Sequence, residues 1–186
     1  GIMTALIKIG LPSVPPIINE LKEHLQSKDF PWILGQIGDK RAIPVLREVV
    51  KVQYPSTWGN YPVEALVKIS GLPEAPKFIK ELKELKELKL FHFERFTEDI
   101  IRSYRKDILK GLYDIGKPVV PLLIEVLEDK SDSDTLYSDT LRFQVAQVLS
   151  HMKDKSTVPV FLKILENEKE EQDLRFIAAG ALGTGD

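Results

Sequence analysis

Leu34-Gly-Gln-Ile-Gly38-Asp-Lys-Arg-Ala-Ile-Pro44-Val-Leu46 reads as the end of one apolar helix, a glycine turn, and the start of a second apolar helix opened by proline. Gly38 stands where a helix C-terminus needs a left-handed residue, which glycine adopts without a Cβ clash. Pro44 falls in the first turn of the next helix, where the N–H that proline lacks has no intrahelical partner in any case. Working outward, the same pattern returns four more times. Before it stands Leu6-Ile-Lys-Ile-Gly10-Leu-Pro-Ser-Val-Pro-Pro16-Ile-Ile. After it come Leu66-Val-Lys-Ile-Ser70-Gly-Leu-Pro-Glu-Ala-Pro76-Lys-Phe, Leu112-Tyr-Asp-Ile-Gly116-Lys-Pro-Val-Val-Pro121-Leu-Leu and Leu149-Ser-His-Met-Lys153-Asp-Lys-Ser-Thr-Val-Pro159-Val-Phe.

The aligned prolines at 16, 44, 76, 121 and 159 are 28, 32, 45 and 38 residues apart, so the units vary in length while the turn persists. Ser70 and Lys153 replace glycine, which predicts that those two turns close differently. First helices carry apolar stripes at helical spacing, as at Leu141, Val145, Val148, Leu149 and Met152. Second helices carry apolar pairs after the proline: Ile17-Ile18, Val45-Leu46, Leu122-Leu123 and Val160-Phe161, with Leu21, Val49, Val126 or Leu127, and Ile164 further on. One helical pair cannot bury such faces alone, so neighbouring pairs must stack around a shared core. The predicted fold is all-α, a single right-handed α/α superhelical solenoid of about eleven helices. It spans residues 1–186 in units 1–28, 29–53, 54–95, 96–133, 134–170 and a partial 171–186, and it is expected to be part of a longer repeat protein. The last unit, Leu174-Arg-Phe-Ile-Ala-Ala-Gly-Ala-Leu-Gly-Thr-Gly-Asp186, is expected to leave Leu174, Ile177, Ala178 and Ala181 uncovered and to favour end-to-end self-association.

Ile37-Gly-Asp-Lys-Arg-Ala-Ile-Pro-Val-Leu46 and Ala178-Ala-Gly-Ala-Leu-Gly-Thr-Gly-Asp186 resemble HEAT-like repeats of the short, phycobilisome lyase type, which read roughly Ala-Leu-Gly-x-Ile-Gly-Asp and then Ala-x-Pro-x-Leu. The resemblance covers nearly the whole chain. It implies the fold and little about function, because the motif residues are turn and core residues. Trp32 with Leu34-Gly35 is similar to the opening of a tetratricopeptide repeat, but the spacing is one residue short and no matching Tyr follows.

The 186 residues, 43% hydrophobic and 29% charged, place the chain among folded proteins. Lys and Arg number 26 against 28 Asp and Glu, so the net charge of -2 gives no general field toward phosphate backbones or anionic lipid. The absence of Cys removes disulfides and thiolate chemistry and fits a reducing compartment. Ile2 to Ile18 is apolar but broken by Lys8, Pro12, Pro15 and Pro16, so it is neither a signal h-region nor a membrane span. A cytoplasmic protein without membrane contact is expected.

The third unit departs most from the pattern. Tyr54-Pro-Ser-Thr-Trp58-Gly-Asn60-Tyr-Pro62 is a turn-rich connector that leads, with Asn60 as N-cap, into a helix. Trp58 and Tyr61 read either as a binding hot spot or as a plug between repeats. Glu81-Leu-Lys-Glu-Leu-Lys-Glu-Leu-Lys-Leu90 extends the second helix toward Phe91, Phe93 and Phe96. That segment reads either as a longer solvated helix or as a docking protrusion. Thr97 caps the next helix, whose stripe runs through Tyr104, Ile108, Leu112 and Ile115. Arg102, Arg105 and Lys106 cluster on its opposite side, which reads either as a solvated basic face or as a contact for an acidic partner, and Glu128 to Asp139 reads as a mobile polar connector.

No catalytic, cofactor-binding or metal-ligating residue is a candidate. His24, His92 and His151 lie in different units, and the residues that follow them, Leu25, Phe93 and Met152, lack the His-Glu pairs of HEAT-repeat iron hydroxylases. A Gly-x-Ser-x-Gly elbow, a P-loop and a dinucleotide fingerprint are all missing from the sequence. Alternating signs on the second helices argue against a DNA-clamping surface like that of HEAT-like glycosylases. The expected function is a non-enzymatic scaffold that binds a protein or peptide on the concave side, which the family resemblance assigns to the second helices. The candidate partner-binding residues are Arg47, Glu48, Lys51, Lys80, Lys83, Trp58, Tyr61, Phe91 and Phe93, with Asn19, Glu20, Glu23, Glu125, Lys163 and Glu166 completing the surface. A bilin lyase-like or chaperone-like activity, implied by the repeat subtype, and a nucleic-acid-binding role are the alternatives.

Overall fold

The computed structural model describes residues 1–53, 61–84, 98–130 and 136–183, so Trp58, Phe91, Phe93, Phe96 and Thr97 lie outside the described residues. The described residues hold eleven α-helices and no strand. They are α1 (Ile2–Ile9), α2 (Val14–Glu23), α3 (Asp29–Ile37), α4 (Ile43–Gln53), α5 (Tyr61–Ser70), α6 (Ala75–Glu84), α7 (Glu98–Ile115), α8 (Val120–Glu128), α9 (Leu136–Met152), α10 (Val158–Glu166) and α11 (Gln172–Gly183). The odd-numbered helices pack in succession, each against the next, as one layer. The even-numbered helices form the second, with α2 against α4, α6 against α8, and each of them resting on a neighbouring odd helix. This is the stack that the repeat arithmetic requires.

Each hinge holds a residue with positive φ, then a single 3-10 turn, then an α-helix with proline at its second position. The 3-10 turn is an addition to the sequence reading, and it separates two hinge lengths. In the short form Gly10, Gly71 and Gly116 lie five residues before Pro15, Pro76 and Pro121, and each glycine carbonyl itself accepts the bond that closes the 3-10 turn. The third hinge therefore turns at Gly71 and not at Ser70, and the proline equivalent to Pro44 is Pro15 and not Pro16. In the long form Gly38 and Lys153 lie six residues before Pro44 and Pro159, and an aspartate follows. Asp39 accepts from the Arg41 N–H at 2.9 Å and Asp154 from the Ser156 N–H at 3.0 Å, so a side chain caps the 3-10 turn.

Backbone sterics explain why lysine replaces glycine at only one of these places. Gly38 sits in the left-handed helical region at φ 78° and ψ 18°, which residues with a Cβ visit at a cost of about 1–2 kcal/mol. Gly10, Gly71 and Gly116 combine positive φ with ψ of -134°, -168° and -154°, a region open essentially to glycine alone. Lys153, with φ 49°, occurs in the long form, so the fifth hinge closes like the second one.

The core runs between the layers. Ile17, Leu21, Val45, Leu46, Val49, Leu123, Val126, Leu127, Val160, Phe161 and Ile164 are all buried, while Ile18 and Leu122 are half-buried. On α9 the buried stripe is Leu141, Val145 and Leu149. The mid-helix glycines set the spacing of the first layer. A Cβ on Gly35 of α3 would stand 2.9 Å from the Ala65 Cβ of α5, and one on Gly111 of α7 would stand 2.6 Å from the Val67 Cβ. These two glycines lie inside helices and let α3 and α7 close on either flank of α5.

Three other expectations change. Arg105 belongs to the buried side of α7, with only 3% of its surface exposed, and not to a solvated basic face; the side chain of Arg102 lies outside what the structure describes. The Glu128–Asp139 connector is shorter than expected, because α8 includes Glu128 and α9 starts at Leu136, and Asp129 and Lys130 are tied down by ion pairs. On α11 the stripe expected to be bare turns inward onto α9 and α10, so Leu174 and Ala178 are buried and Ile177 and Ala181 half-buried. The apolar side chain left outside is Phe176, 80% exposed.

Candidate partner-binding surface

The second-layer helices present the charged residues expected to meet a partner. Arg47, Glu48 and Lys51 are exposed on α4 and Lys80 on α6, while Lys83 is half-buried. Each has a counterion within the chain. Lys51 Nζ donates to Glu48 Oε1 at 2.9 Å, and Lys80 lies 3.6 Å from Glu84. Other pairs cross between units. Arg47 reaches Glu74 at 3.7 Å, Lys83 donates to Asp129 at 2.8 Å, and Lys163 of α10 donates to Glu128 of α8 at 3.1 Å. The layer therefore carries charges of both signs, several of them matched within the chain. These paired side chains are 30–74% exposed, so each pair contributes under about 1 kcal/mol. Their main effect is to fix the charge pattern. Glu74 is held below the usual carboxylate range by the Lys77 ammonium bonded to it.

Tyr61 opens α5 and is 42% exposed, but it belongs to the first layer, beside Trp32, Gly35 and Glu64. The structure thus brings Arg47, Glu48, Lys51, Lys80 and Lys83 into one layer and places Tyr61 in the other.

Two buried polar clusters escaped the sequence reading. Arg142 of α9 donates from Nη1 to Glu170 Oε1 at 2.6 Å and from Nε to the Leu127 carbonyl at 3.0 Å, and Lys130 donates to Glu170 Oε2 at 2.8 Å. The Arg142 guanidinium, then the Lys130 ammonium, hold the Glu170 carboxyl down at about 2. This clamp joins the end of α8, the middle of α9 and the loop before α11. In the second cluster the Tyr104 hydroxyl of α7 donates to the Glu81 carboxylate of α6. Burial pushes the Glu81 carboxyl up against the opposing pull of that bond, and burial pushes Tyr104 up as well. Each cluster needs residues from different units, which no local pattern announces.

In the first layer a groove of about 670 Å³ lies between α7 and α9. Leu109 and Tyr113 of α7 and Val148 of α9 form its apolar walls, and Lys106, Lys110 and His151 stand around it. The equivalent seam between α3 and α5 encloses only about 10 Å³. In that seam Gly35 of α3 faces Ala65 of α5; aligned on the positive-φ hinge residues, their counterparts in α7 and α9 are Tyr113 and Gln147, so larger side chains stand at both places.

Among the described residues no three His, Cys, Asp or Glu side chains converge as a metal-binding group, and no single helix is long and apolar enough to cross a membrane. No curated protein and no solved structure matches the chain significantly. The family model of the PBS lyase HEAT-like repeat matches residues 32–51. That span runs from α3 through the long hinge to α4, the stretch from which the repeat was first read. Together with five such hinges joining a two-layer stack of helices, this match supports an all-α repeat fold of the HEAT-like kind.

Proposed function

We propose that the protein is a non-enzymatic scaffold that binds a protein or peptide along its second-helix layer. The observation that carries this reading is the run of exposed charges of both signs on α4, α6, α8 and α10, ordered by intra-unit and inter-unit pairs into one pattern. A preordered pattern of mixed sign suits a partner with its own mixed charges, since complementary placement gives specificity and orientation. A phosphate backbone, by contrast, calls for one dominant sign. The word lyase in the name of the matching repeat supports no catalytic reading, because residues 32–51 comprise core and turn positions and surface charges. A cytoplasmic setting belongs to the same proposal and rests on the absence of Cys.

The pairing suggests a variant that changes the pattern and spares the fold. Exchanging partners, Glu48→Lys with Lys51→Glu and Lys80→Glu with Glu84→Lys, keeps both intrachain pairs and reverses the charges shown to a partner. Affinity capture from a native lysate is expected to recover a protein with the wild type and lose it with the swapped variant. Equal recovery by both would contradict the proposal. Self-association through the end helices is part of the same reading, since Ile2 of α1 and Phe176 of α11 are each 80% exposed.

A further inference from the structure

From the groove between α7 and α9 we infer a second docking site, for an acidic amphipathic peptide helix of about two turns. This goes beyond the second-layer scaffold, because the groove is built wholly from first-layer helices. Its chemistry differs from that of the second layer. There each candidate cation has an acid partner within the chain, whereas here Lys106 forms no ion pair with any carboxylate among the described residues. Lys110 bonds Glu64 of α5, and no carboxylate among the described residues lines the groove itself. His151 Nδ1 lies 2.7 Å from the Gln147 carbonyl, which can only accept, so Nδ1 carries a proton and the ring is fixed by its own helix.

The walls select the rest of the occupant. Leu109, Tyr113 and Val148 offer an apolar floor between the cations, so a fully hydrophilic polyanion gains only from the rim. From Lys106 to Tyr113 the groove follows eight residues of α7, about 10 Å of helix axis, which matches apolar residues at i, i+3 or i+4, and i+7 of a docked helix. Glu or Asp beside those anchors would meet Lys106 and Lys110. Apolar floor and cationic rim together define this partner chemistry.

A phage-displayed library of helical peptides, panned on the whole chain, tests the inference, with fluorescein-labelled hits measured by anisotropy. The expected hits carry spaced apolar residues flanked by Asp or Glu. Their binding is expected to weaken at least tenfold both with Lys106→Glu plus His151→Glu, which reverses the rim, and with Gln147→Trp, which obstructs the groove from an exposed position. Circular dichroism confirms that each variant is folded. Recovery of no peptide, hits without an acidic excess, or affinities unchanged in both variants would overturn the site. So would displacement of the peptide by a single-stranded oligonucleotide with a steep salt dependence, which would assign the rim to phosphates. Hits lost only with the second-layer charge exchange would support the scaffold surface and overturn this one.

Discussion

Glu170→Gln removes the charge at the centre of the clamp between α8, α9 and α11, and its cost follows from the position of the carboxyl. The Glu170 side chain is 5% exposed, and its carboxyl is held at about 2 against an ordinary 4.5. At about 1.4 kcal/mol for each tenfold change in proton affinity, that interval stabilises the fold by up to about 3 kcal/mol at neutral pH. Breaking a buried pair by removing one partner falls in a similar range, about 3–5 kcal/mol, because Arg142 would keep its charge without compensation. The contribution has a definite pH course. Since the folded carboxyl lies below its unfolded value, the stabilisation is complete above about pH 5 and declines as the pH falls toward 2, reaching roughly half near pH 3. Urea unfolding of wild type and Glu170→Gln, followed by circular dichroism between pH 7 and pH 3, measures both magnitude and course. A difference below about 1 kcal/mol at pH 7, or one that stays constant down to pH 3, would refute the reasoning, since only the carboxylate's own ionisation produces the decline.

Gly111→Ala is expected to destabilise by about 1–3 kcal/mol in the same unfolding assay, because the added Cβ meets Val67 and the Glu64 carbonyl, whereas alanine in an open helix would gain about 1 kcal/mol. Gly38→Ala in the long hinge is expected to cost about 1 kcal/mol and Gly116→Ala in the short hinge distinctly more, with neither Cβ meeting a neighbour; equal costs would contradict the distinction between the two hinges. Asp154→Ala removes the side-chain cap of the fifth hinge and is expected to cost about 1 kcal/mol by thermal unfolding. Phe176→Asp is expected to abolish concentration-dependent association in sedimentation velocity; a wild type that stays monomeric at the highest concentrations would remove the end-helix reading.

The fold was legible because its determinants are local and repeated. Glycine, proline and paired apolar residues within about a dozen positions define each hinge, and five copies of such a weak pattern reinforce one another. The one-residue offsets, Pro16 for Pro15 and Ser70 for Gly71, arise because aligning on residue type cannot separate two hinge lengths that differ by one residue. Gly35 and Gly111 did carry a signal. A glycine inside a helix costs about 1 kcal/mol relative to alanine, so each needed a packing reason. The second-layer charges were legible one by one, but their pairing was not, since Lys83 with Asp129 and Lys163 with Glu128 join residues of different units. Arg105 and Arg142 misled or stayed silent for a related reason: burial of a charged residue depends on which helix comes to rest beside it. The α7–α9 groove was hidden because it depends on the sizes of Tyr113 and Gln147, at positions that face each other only once the helices are stacked.

Site-specific photo-crosslinking tests the central claim most directly. A photoreactive phenylalanine analogue placed at Lys51 or Lys80, exposed on the second layer, is compared with one at Gln36, exposed on the first. The account predicts that Lys51 and Lys80 crosslink to the same partner protein and that Gln36 does not. Crosslinks from Gln36 with none from Lys51 and Lys80 would contradict a scaffold that works through its second-helix layer.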